Sequence, residues 1–322
     1  MTFDGPCATI SGTLLEPGPH TFAIEVEDAG GVIRRRNYVI PKGGLIGDVL
    51  EPAASFRLGL ATDPSSAIYA VRKDPATDRS VVVIRRPGAR RWTPVARLTI
   101  RSANILGFRD ATGELIVADS GLYALNPRTG LTRLLTPGLA TDFGDVGVDG
   151  TIAFAVTNSR KVYTIAPDDT VTHIAGNGTA GTTGDGGPAL AATFLGPIAP
   201  GVTADAILVP DGQAGSLRRI DRNTGVSTTV SGGPGATKSP FEEGPASETQ
   251  FLINTIVKGV DRSDRPYFYS SQSLYRFEAD GTVDFLSFGQ ETEPRRAPIE
   301  DVRFGEFWKM ARHPDGSMLD AQ

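Results

Sequence analysis

The chain has 322 residues, of which 39% are hydrophobic, and this composition is sufficient for one large core or two ordinary domains rather than a disordered chain. The 32 basic and 37 acidic residues give a formal net charge of −5, which offers no reason to expect a nucleic-acid partner. The single cysteine, Cys7, excludes an intramolecular disulfide, and three scattered histidines disfavour a zinc site.

Targeting signals are missing from the sequence as it stands. No stretch approaches the roughly 18 consecutive apolar residues of a membrane span. Residues 1–10 lack the basic and apolar segments of a secretory signal peptide. We therefore expect no membrane insertion and, by default, a cytoplasmic location, with a virion or an exported assembly as the alternative.

The first predicted element is a pair of strands near the amino terminus. Residues 21–26 alternate between apolar and polar side chains, and residues 28–31 have the composition of a turn. Residues 32–40 then form the returning strand.

The rest of the chain repeats a unit of four short strands. A hairpin recurs with first residues 122, 162, 217 and 274, so successive copies are 40, 55 and 57 residues apart. A looser copy covers residues 81–98. Two further apolar strands precede each hairpin, at residues 58–71, 105–117, 146–154, 201–209 and 256–269.

A half unit of two strands ends the series, at residues 307–319. Four-stranded units at this period are typical of a β-propeller. We predict an all-β fold, a six-bladed β-propeller of four-stranded blades closed by amino-terminal strands. Residues 1–43 would complete the last blade and residues 44–322 would form the propeller blades, because an open two-stranded blade exposes unpaired backbone. The alternative is an immunoglobulin-like remnant at the amino terminus, followed by a propeller.

A glycine-rich loop carries a resemblance to a known family. The runs Ala175–Gly181 and Gly184–Ala189, followed by Phe194 and by Leu217–Asp221, resemble the NHL-repeat propellers of bacterial extracellular and Rhs-type proteins and of teneurins. The resemblance is specific over residues 171–232. Ala214-Gly215-Ser216 stands where such repeats carry an Asn-His-Leu or Asn-His-Arg triplet.

A proline recurs six residues before a phenylalanine in three successive loops. The pairs are Pro188 and Phe194, Pro245 and Phe251, and Pro298 and Phe304. We interpret the proline as ending the excursion of the outer strand and the phenylalanine as filling the seam between adjacent blades. The alternative is that the glycines around Asp185 wrap an ion, although one carboxylate is few for calcium.

The long loops 176–196, 232–253 and 288–304 occupy the same place in successive repeats, so we expect them on one face of the propeller. That face is the predicted surface for a protein or glycan partner. Its charged members, and therefore the predicted binding residues, are Asp185, Glu242, Glu243, Arg295 and Arg296.

Polar residues near the predicted inner strands offer a different site. They are Asn104, Asp145, Asn254 and Glu306, from four repeats. Two amides and two carboxylates could hold Ca²⁺ in the central channel, as in lactonase-like and gluconolactonase-like propellers.

The sequence thus leaves three functional hypotheses. The first is a non-enzymatic scaffold or binding module without a cofactor, presenting loops to protein or glycan, as a structural part of a larger assembly such as a phage tail or an Rhs-like machine. The second is a calcium-dependent hydrolase or lyase with its site in the channel. The third is a sensor domain. Convergence of the channel residues on one centre would favour the second.

Overall fold

The structure is a computed structural model. It describes residues 20–27, 33–40, 56–74, 76–89, 91–98, 103–141, 143–233, 236–237, 244–249, 255–261, 264–270, 273–278, 280–288, 310–312 and 318–320. The chain divides into two compact units, Met1–Val49 and Leu50–Gln322.

The first unit contains an antiparallel hairpin. Its strands are β1 (His20–Glu27) and β2 (Ile33–Ile40), and they pair along their whole length. The two strands predicted for this segment are therefore confirmed. Their role in completing the last blade stays a prediction.

The second unit is built almost entirely of short strands. In chain order they are β3 (Phe56–Thr62), β4 (Ile68–Lys73), β5 (Ser80–Arg85), β6 (Thr93–Arg97), β7 (Asn104–Arg109), β8 (Glu114–Ala118), β9 (Leu122–Leu125), β10 (Thr132–Leu134), β11 (Gly144–Val146), β12 (Ile152–Val156), β13 (Lys161–Ile165), β14 (Val171–Ala175), β15 (Gly187–Pro188), β16 (Gly201–Val202), β17 (Ala206–Asp211), β18 (Ser216–Asp221), β19 (Val226–Gly232), β20 (Gly244–Pro245), β21 (Ile256–Val260), β22 (Pro266–Ser270), β23 (Ser273–Phe277), β24 (Thr282–Phe288), β25 (Met310–Arg312) and β26 (Met318–Asp320). Three short 3₁₀ turns, Thr157–Ser159, Ala189–Ala191 and Ala246–Glu248, accompany them.

These strands form a β-propeller. Consecutive strands pair antiparallel into blade 1 (β3–β6), blade 2 (β7–β10), blade 3 (β11–β14), blade 4 (β16–β19) and blade 5 (β21–β24). The first strand of each blade contacts the first strand of the next, and β25 contacts both β21 and β3. The inner strands therefore close a circle.

The predicted count of six four-stranded blades is wrong. Within the described residues the structure has five such blades, and the sixth place in the circle is held by the two-stranded sheet of β25 and β26. The half unit expected at the carboxyl end is present. The sequence pattern overestimated the count because the sixth unit carries only two strands of its own.

The apolar core lies between the blades. Val82 of blade 1 packs in one cluster with Leu115 of blade 2, and Ile116 of blade 2 packs in another with Phe154 of blade 3. Each blade is covered on both faces by its neighbours, so its strands are continuous apolar runs rather than alternating apolar and polar residues. Phe194 is fully buried in the cluster that joins blades 3 and 4, which confirms its predicted place in the seam. Phe251 and Phe304 lie outside the described residues.

A short clasp joins each of two blades to the loop that precedes it. Gly187–Pro188 adds a fifth, outermost strand to blade 4, where Pro188 lies opposite Val226. Gly244–Pro245 does the same on blade 5. The N–H of Ala189 donates to the carbonyl of Gly225 at 2.8 Å. Each clasp covers part of an exposed sheet edge and ties consecutive blades together.

The inner strands approach one another closely at glycines. A Cβ atom on Gly107 would lie 2.8 Å from Cβ of Val146, and one on Gly201 would lie 2.3 Å from Cγ1 of Val257. Real Cβ contacts are longer, so a side chain at either glycine would push the neighbouring strand away. The same close approach occurs at Gly59 and Gly147.

A buried arginine at the end of the inner strand β7 links blades 2 and 3. Arg109 is fully buried, and its guanidinium donates to the carbonyl of Gly150 at 3.1 Å and to Asp169 at 2.8 Å. Asp169 also pairs with Arg133. Partial burial raises the pKa of Asp169, but hydrogen bonds from Arg109 and Arg133 outweigh it and hold the pKa below its ordinary value.

We predict that Gly201→Ala lowers the free energy of unfolding by about 1 to 3 kcal/mol, because the added methyl group overpacks the contact with Val257. Urea unfolding followed by circular dichroism measures the change. Gly187→Ala is the control, since a Cβ there would lie no closer than 3.7 Å to the carbonyl oxygen of Gly184. Equal stability of the two variants would contradict close packing at the inner strands.

A second prediction concerns pH. Since the pKa of Asp169 is lowered on folding, its ionised form stabilises the fold above the unfolded pKa of about 3.9, and this contribution is lost as the pH falls through the folded value. Asp169→Asn should cost about 1 to 3 kcal/mol at pH 7, and the difference from the unmodified chain should shrink below about pH 4. Urea unfolding at several pH values tests this. A difference that stays constant from neutral to acidic pH would exclude the ion pair as its cause.

Candidate functional site

One end of blades 2, 3 and 4 forms a cleft. Consecutive strands of a blade are antiparallel. The start of the inner strand and the turn between the second and third strands therefore lie at the same end of each blade. At this end lies a cleft of about 270 Å³. Its lining comes from three blades, so the cleft exists only once the blades are assembled.

The polar residues that the structure describes in the lining of the cleft are uncharged. Ser120 follows β8, Thr141 precedes β11, and Thr157 and Asn158 form the turn after β12. Phe143 belongs to the same lining. Hydroxyl and amide groups both donate and accept hydrogen bonds, so these residues can orient a neutral polar ligand.

Hydroxyl groups fix the loops of the cleft. The Thr157 hydroxyl donates to the carbonyl of Pro197 at 2.9 Å, which ties the turn of blade 3 to the segment entering blade 4. The Thr141 hydroxyl donates to the carbonyl of Phe143 at 3.0 Å. Both oxygens retain lone pairs for a ligand.

The buried carboxylate of Asp211 holds one wall. It accepts hydrogen bonds from the N–H groups of Leu195 at 2.9 Å and Gly196 at 2.6 Å. Burial raises the pKa of Asp211, while the two amides and the charge of Arg218 act in the opposite direction. Asp211 therefore positions the segment that leads to Ala199 in the cleft lining.

Two cleft residues have strained backbones. Ser120 has φ of 53° and Ala199 has φ of 42°, both in the left-handed region. Such a conformation costs roughly 1 to 3 kcal/mol and persists where surrounding contacts enforce it. Strain of this kind concentrates at functional sites, which supports the cleft as the candidate site.

Asp185, predicted as a binding residue, pairs with a buried arginine. Its Oδ1 lies 2.7 Å from Nη2 of Arg218, a side chain only 1% exposed. The Arg218 guanidinium also lies over the ring of Phe194, 5.3 Å from its centroid, and donates to the Ser227 hydroxyl at 3.0 Å. Asp185 thus anchors the glycine-rich loop to blade 4.

The structure describes two of the predicted channel residues, and each makes a contact between blades. Asp145 accepts a hydrogen bond from the N–H of Val202 in blade 4 at 2.9 Å. Asn104 lies against blade 1, where a Cβ on Gly59 would come within 2.4 Å of its Oδ1. Each side chain therefore serves a different contact between blades.

The other predicted site residues lie outside the described part of the chain. They are Asn254, Glu306, Glu242, Glu243, Arg295 and Arg296. Within the described ranges, no group of three or more His, Cys, Asp or Glu side chains could hold a metal ion. In the same ranges, no helix has the length and apolar character needed to cross a lipid bilayer.

Sequence reasoning missed the cleft residues. Ser120, Thr141, Phe143, Thr157 and Asn158 belong to no motif and are scattered over two repeats. Their position in the repeat could have indicated them. The turns after the second strand of successive repeats must lie at one end of the propeller, where loops from several blades meet.

No family model matches the chain, and no curated protein matches it. Among solved structures it is similar to an auxiliary nutrient binding protein from Bacteroides thetaiotaomicron, with 11% identity and a TM-score of 0.56, over 80% of this chain and 64% of that one. It is similar to a chain of the nidogen/laminin complex, with 12% identity and a TM-score of 0.51, over 82% of this chain and 90% of that one.

A third similar structure is a protein of unknown function from Bacteroides thetaiotaomicron, with 18% identity and a TM-score of 0.50, over 78% of this chain and 62% of that one. These likenesses show the fold. The chain spans less than two thirds of both Bacteroides proteins. At such low sequence identities the similarity establishes a common propeller fold. It does not transfer the binding partner of any of these proteins to this chain.

We predict that Asp185→Asn lowers the free energy of unfolding by about 1 to 2 kcal/mol, because it removes the charge partner of buried Arg218. Thermal or urea unfolding measures the loss. Asp205→Asn is the matched control: Asp205 also lies 2.7 Å from an arginine, but that residue, Arg219, is 28% exposed. An exposed pair contributes little, so the control should stay near the unmodified stability. Equal losses would show that burial of the arginine is irrelevant.

Proposed function

We propose that the chain is a non-enzymatic binding module whose cleft between blades 2, 3 and 4 takes a hydroxyl-rich ligand, a glycan. The observation that carries this proposal is that the described lining of the cleft combines uncharged polar side chains with apolar ones. Among the lining residues that the structure describes there is no general acid, general base or nucleophile activated by a neighbouring base, which supports binding rather than turnover.

The chemistry of the lining suits a saccharide. Ser120 and Asn158 carry groups that both donate and accept hydrogen bonds, and the Thr157 hydroxyl, which donates to Pro197, can accept one from a sugar hydroxyl. The ring of Phe143 offers an apolar surface for the C–H face of a sugar. The volume of about 270 Å³ lies just below the roughly 300 to 1,000 Å³ of typical ligand pockets, which fits a short saccharide.

The finer family assignment is part of the same proposal. The glycine-rich run that resembles NHL repeats forms the loop and clasp between blades 3 and 4, which supports an NHL-type propeller. We also propose that residues 1–43 complete the last blade. The β25–β26 sheet has two strands where other blades have four, and the hairpin of β1 and β2 offers two more.

A larger assembly is the proposed setting, with the loop face and Asp185, Glu242, Glu243, Arg295 and Arg296 contacting a protein partner. A rigid circle of blades suits a structural part of a phage tail or an Rhs-like machine. Native mass measurement after purification from the source organism addresses this. Recovery of a lone chain of 34.0 kDa would count against it.

Glycan binding is tested by a glycan array on the full chain, followed by saturation-transfer NMR with the saccharide that binds. Phe143→Ala and Asn158→Ala should each weaken binding about tenfold, since each removes one contact in the cleft. Asn223→Ala, in an exposed turn of blade 4, is the control and should bind normally. Binding that survives both cleft variants, or a chain that binds no saccharide, would overturn the proposal.

The calcium-dependent alternative has its own readout. Lactone hydrolysis that requires Ca²⁺, and a thermal midpoint that rises with CaCl₂ and falls with a chelator, would replace the proposed function by the channel site of Asn104, Asp145, Asn254 and Glu306. Absence of both effects would exclude the calcium-dependent alternative.

A further inference from the structure

The clasps on blades 4 and 5 have the same sequence and the same hydrogen bonds. Gly187-Pro188-Ala189 lies along β19, and Gly244-Pro245-Ala246 lies along β24. In each clasp the alanine N–H donates to the carbonyl of the glycine that ends the outer hairpin turn, Gly225 at 2.8 Å and Gly281 at 3.0 Å. An extended Gly-Pro-Ala segment therefore binds a blade edge in one repeated way, by adding a short strand.

The outer hairpin of blade 2 is built like that of blade 4. The side-chain oxygen of Asn126 accepts hydrogen bonds from the N–H groups two and three residues later, and the Oδ1 of Asp221 does the same. Gly130 ends the first turn with φ of 73°, and Gly225 ends the second with φ of 70°. The residues that follow the two glycines therefore correspond one to one.

The corresponding edge of blade 2 is uncovered. In blade 4 the clasp lies on Ser227, which is fully buried and whose carbonyl accepts a hydrogen bond from the N–H of Gly186 at 2.8 Å. Its counterpart in blade 2, Thr132, is exposed. The side chain of Leu131, just before it, is 71% exposed. Among the described strands only β9 pairs with β10.

The backbone of β10 offers hydrogen-bonding groups to an added strand. The carbonyl of Leu131 and the N–H of Leu135 both form hydrogen bonds across the pair with β9. Thr132 and Leu134 alternate with them, so their N–H and carbonyl groups face away from the sheet. Leu134 is also 48% exposed, which leaves apolar surface beside these groups.

The loop before blade 2 is too short to cover this edge. The clasps of blades 4 and 5 come from long loops between blades, whereas residues 98–103 alone connect β6 to β7. That length is used in crossing from the outer strand of blade 1 to the inner strand of blade 2. The outer strand of blade 1 contains Pro94, a residue that discourages pairing at a sheet edge. The outer strand of blade 2 has no such residue.

We infer that the outer edge of blade 2, from Gly130 to Leu134, is the docking site of a partner protein that adds an extended Gly-Pro-Ala segment to β10. By the pattern of blade 4, the alanine N–H donates to the Gly130 carbonyl, the proline lies opposite Leu131 and the glycine pairs with Thr132. The contact buries the exposed leucines. The edge shares no residue with the proposed glycan cleft and goes beyond that function.

The probe is a synthetic peptide with the sequence of residues 184–192, titrated to millimolar concentration into the full isotope-labelled chain and followed by NMR. The amides of Thr132 and Leu134 should shift saturably. A peptide with N-methylalanine after the proline cannot donate to the Gly130 carbonyl and should bind about tenfold more weakly. Shifts confined to Ser227 would show displacement of the clasp of blade 4 only. That result, or the absence of saturable shifts, would overturn the inference.

Two variants at one position test strand addition. Thr132→Pro removes an N–H that faces away from β9, so the fold should persist while peptide binding is lost. Thr132→Val keeps that N–H and is the matched control, which should bind normally. Equal binding by the two variants would refute strand addition.

A third variant covers the case in which the proline variant unfolds, as judged by circular dichroism. Leu131→Ser keeps every backbone group and changes an exposed side chain, so it should fold and weaken binding severalfold. Normal peptide binding by Leu131→Ser would contradict the inference.

Other occupants have distinct outcomes. A dimer of this chain that dissociates in Thr132→Pro, measured by analytical ultracentrifugation, would assign the edge to a second copy and overturn the partner segment. Phe143→Ala should leave peptide binding intact, and Thr132→Pro should leave glycan binding intact. Failure of the cleft and failure of the edge are therefore distinguishable.

Discussion

Close contact between the inner strands of successive blades is the constraint on which the structure depends. At Gly107 and Gly201 one strand lies directly against the side chain of the next, and no larger residue fits without moving a strand. This spacing sets how tightly the circle closes. It also determines whether the apolar faces of neighbouring blades meet, because a wider circle would open every seam at once. Glycines at the inner strands therefore set the spacing at which the apolar side chains of the core pack.

Charge pairs across the seams help to fix how neighbouring blades pack against each other. Arg109 reaches from blade 2 to Asp169 of blade 3, and Asp185, from the loop that follows blade 3, reaches Arg218 of blade 4. A buried guanidinium without its carboxylate is costly, so each pair disfavours a packing in which its contact is lost. These pairs therefore hold the loops of adjacent blades in a fixed relative position. A cleft assembled from three blades needs this, since no single blade supplies all of its walls.

The strands could be predicted because their apolar runs and turns are local signals, and the hairpin of β9 and β10 was placed almost to the residue. Pairings between distant residues could not be predicted. The clasp at Gly187 is two residues long and has no periodicity, so its pairing with Ser227 was missed. The link from Asp185 to Arg218 depends on the fold of an entire blade. The predicted number of four-stranded blades was wrong for the same reason. The sequence of a two-stranded unit does not indicate which distant segment, if any, pairs with it.

Backbone strain distinguishes the cleft end of the propeller from ordinary turns. Seven described non-glycine residues have positive φ, and three of them are Asp, whose short polar side chain tolerates this conformation. Of the other four, Ser120 and Ala199 line the cleft, and Arg160 lies two residues from Asn158, another lining residue. The fourth, Ser66, lies in a turn of blade 1. Strain without local compensation persists in a stable fold when function maintains it. The turn after β12 therefore combines lining residues of the cleft with a strained backbone.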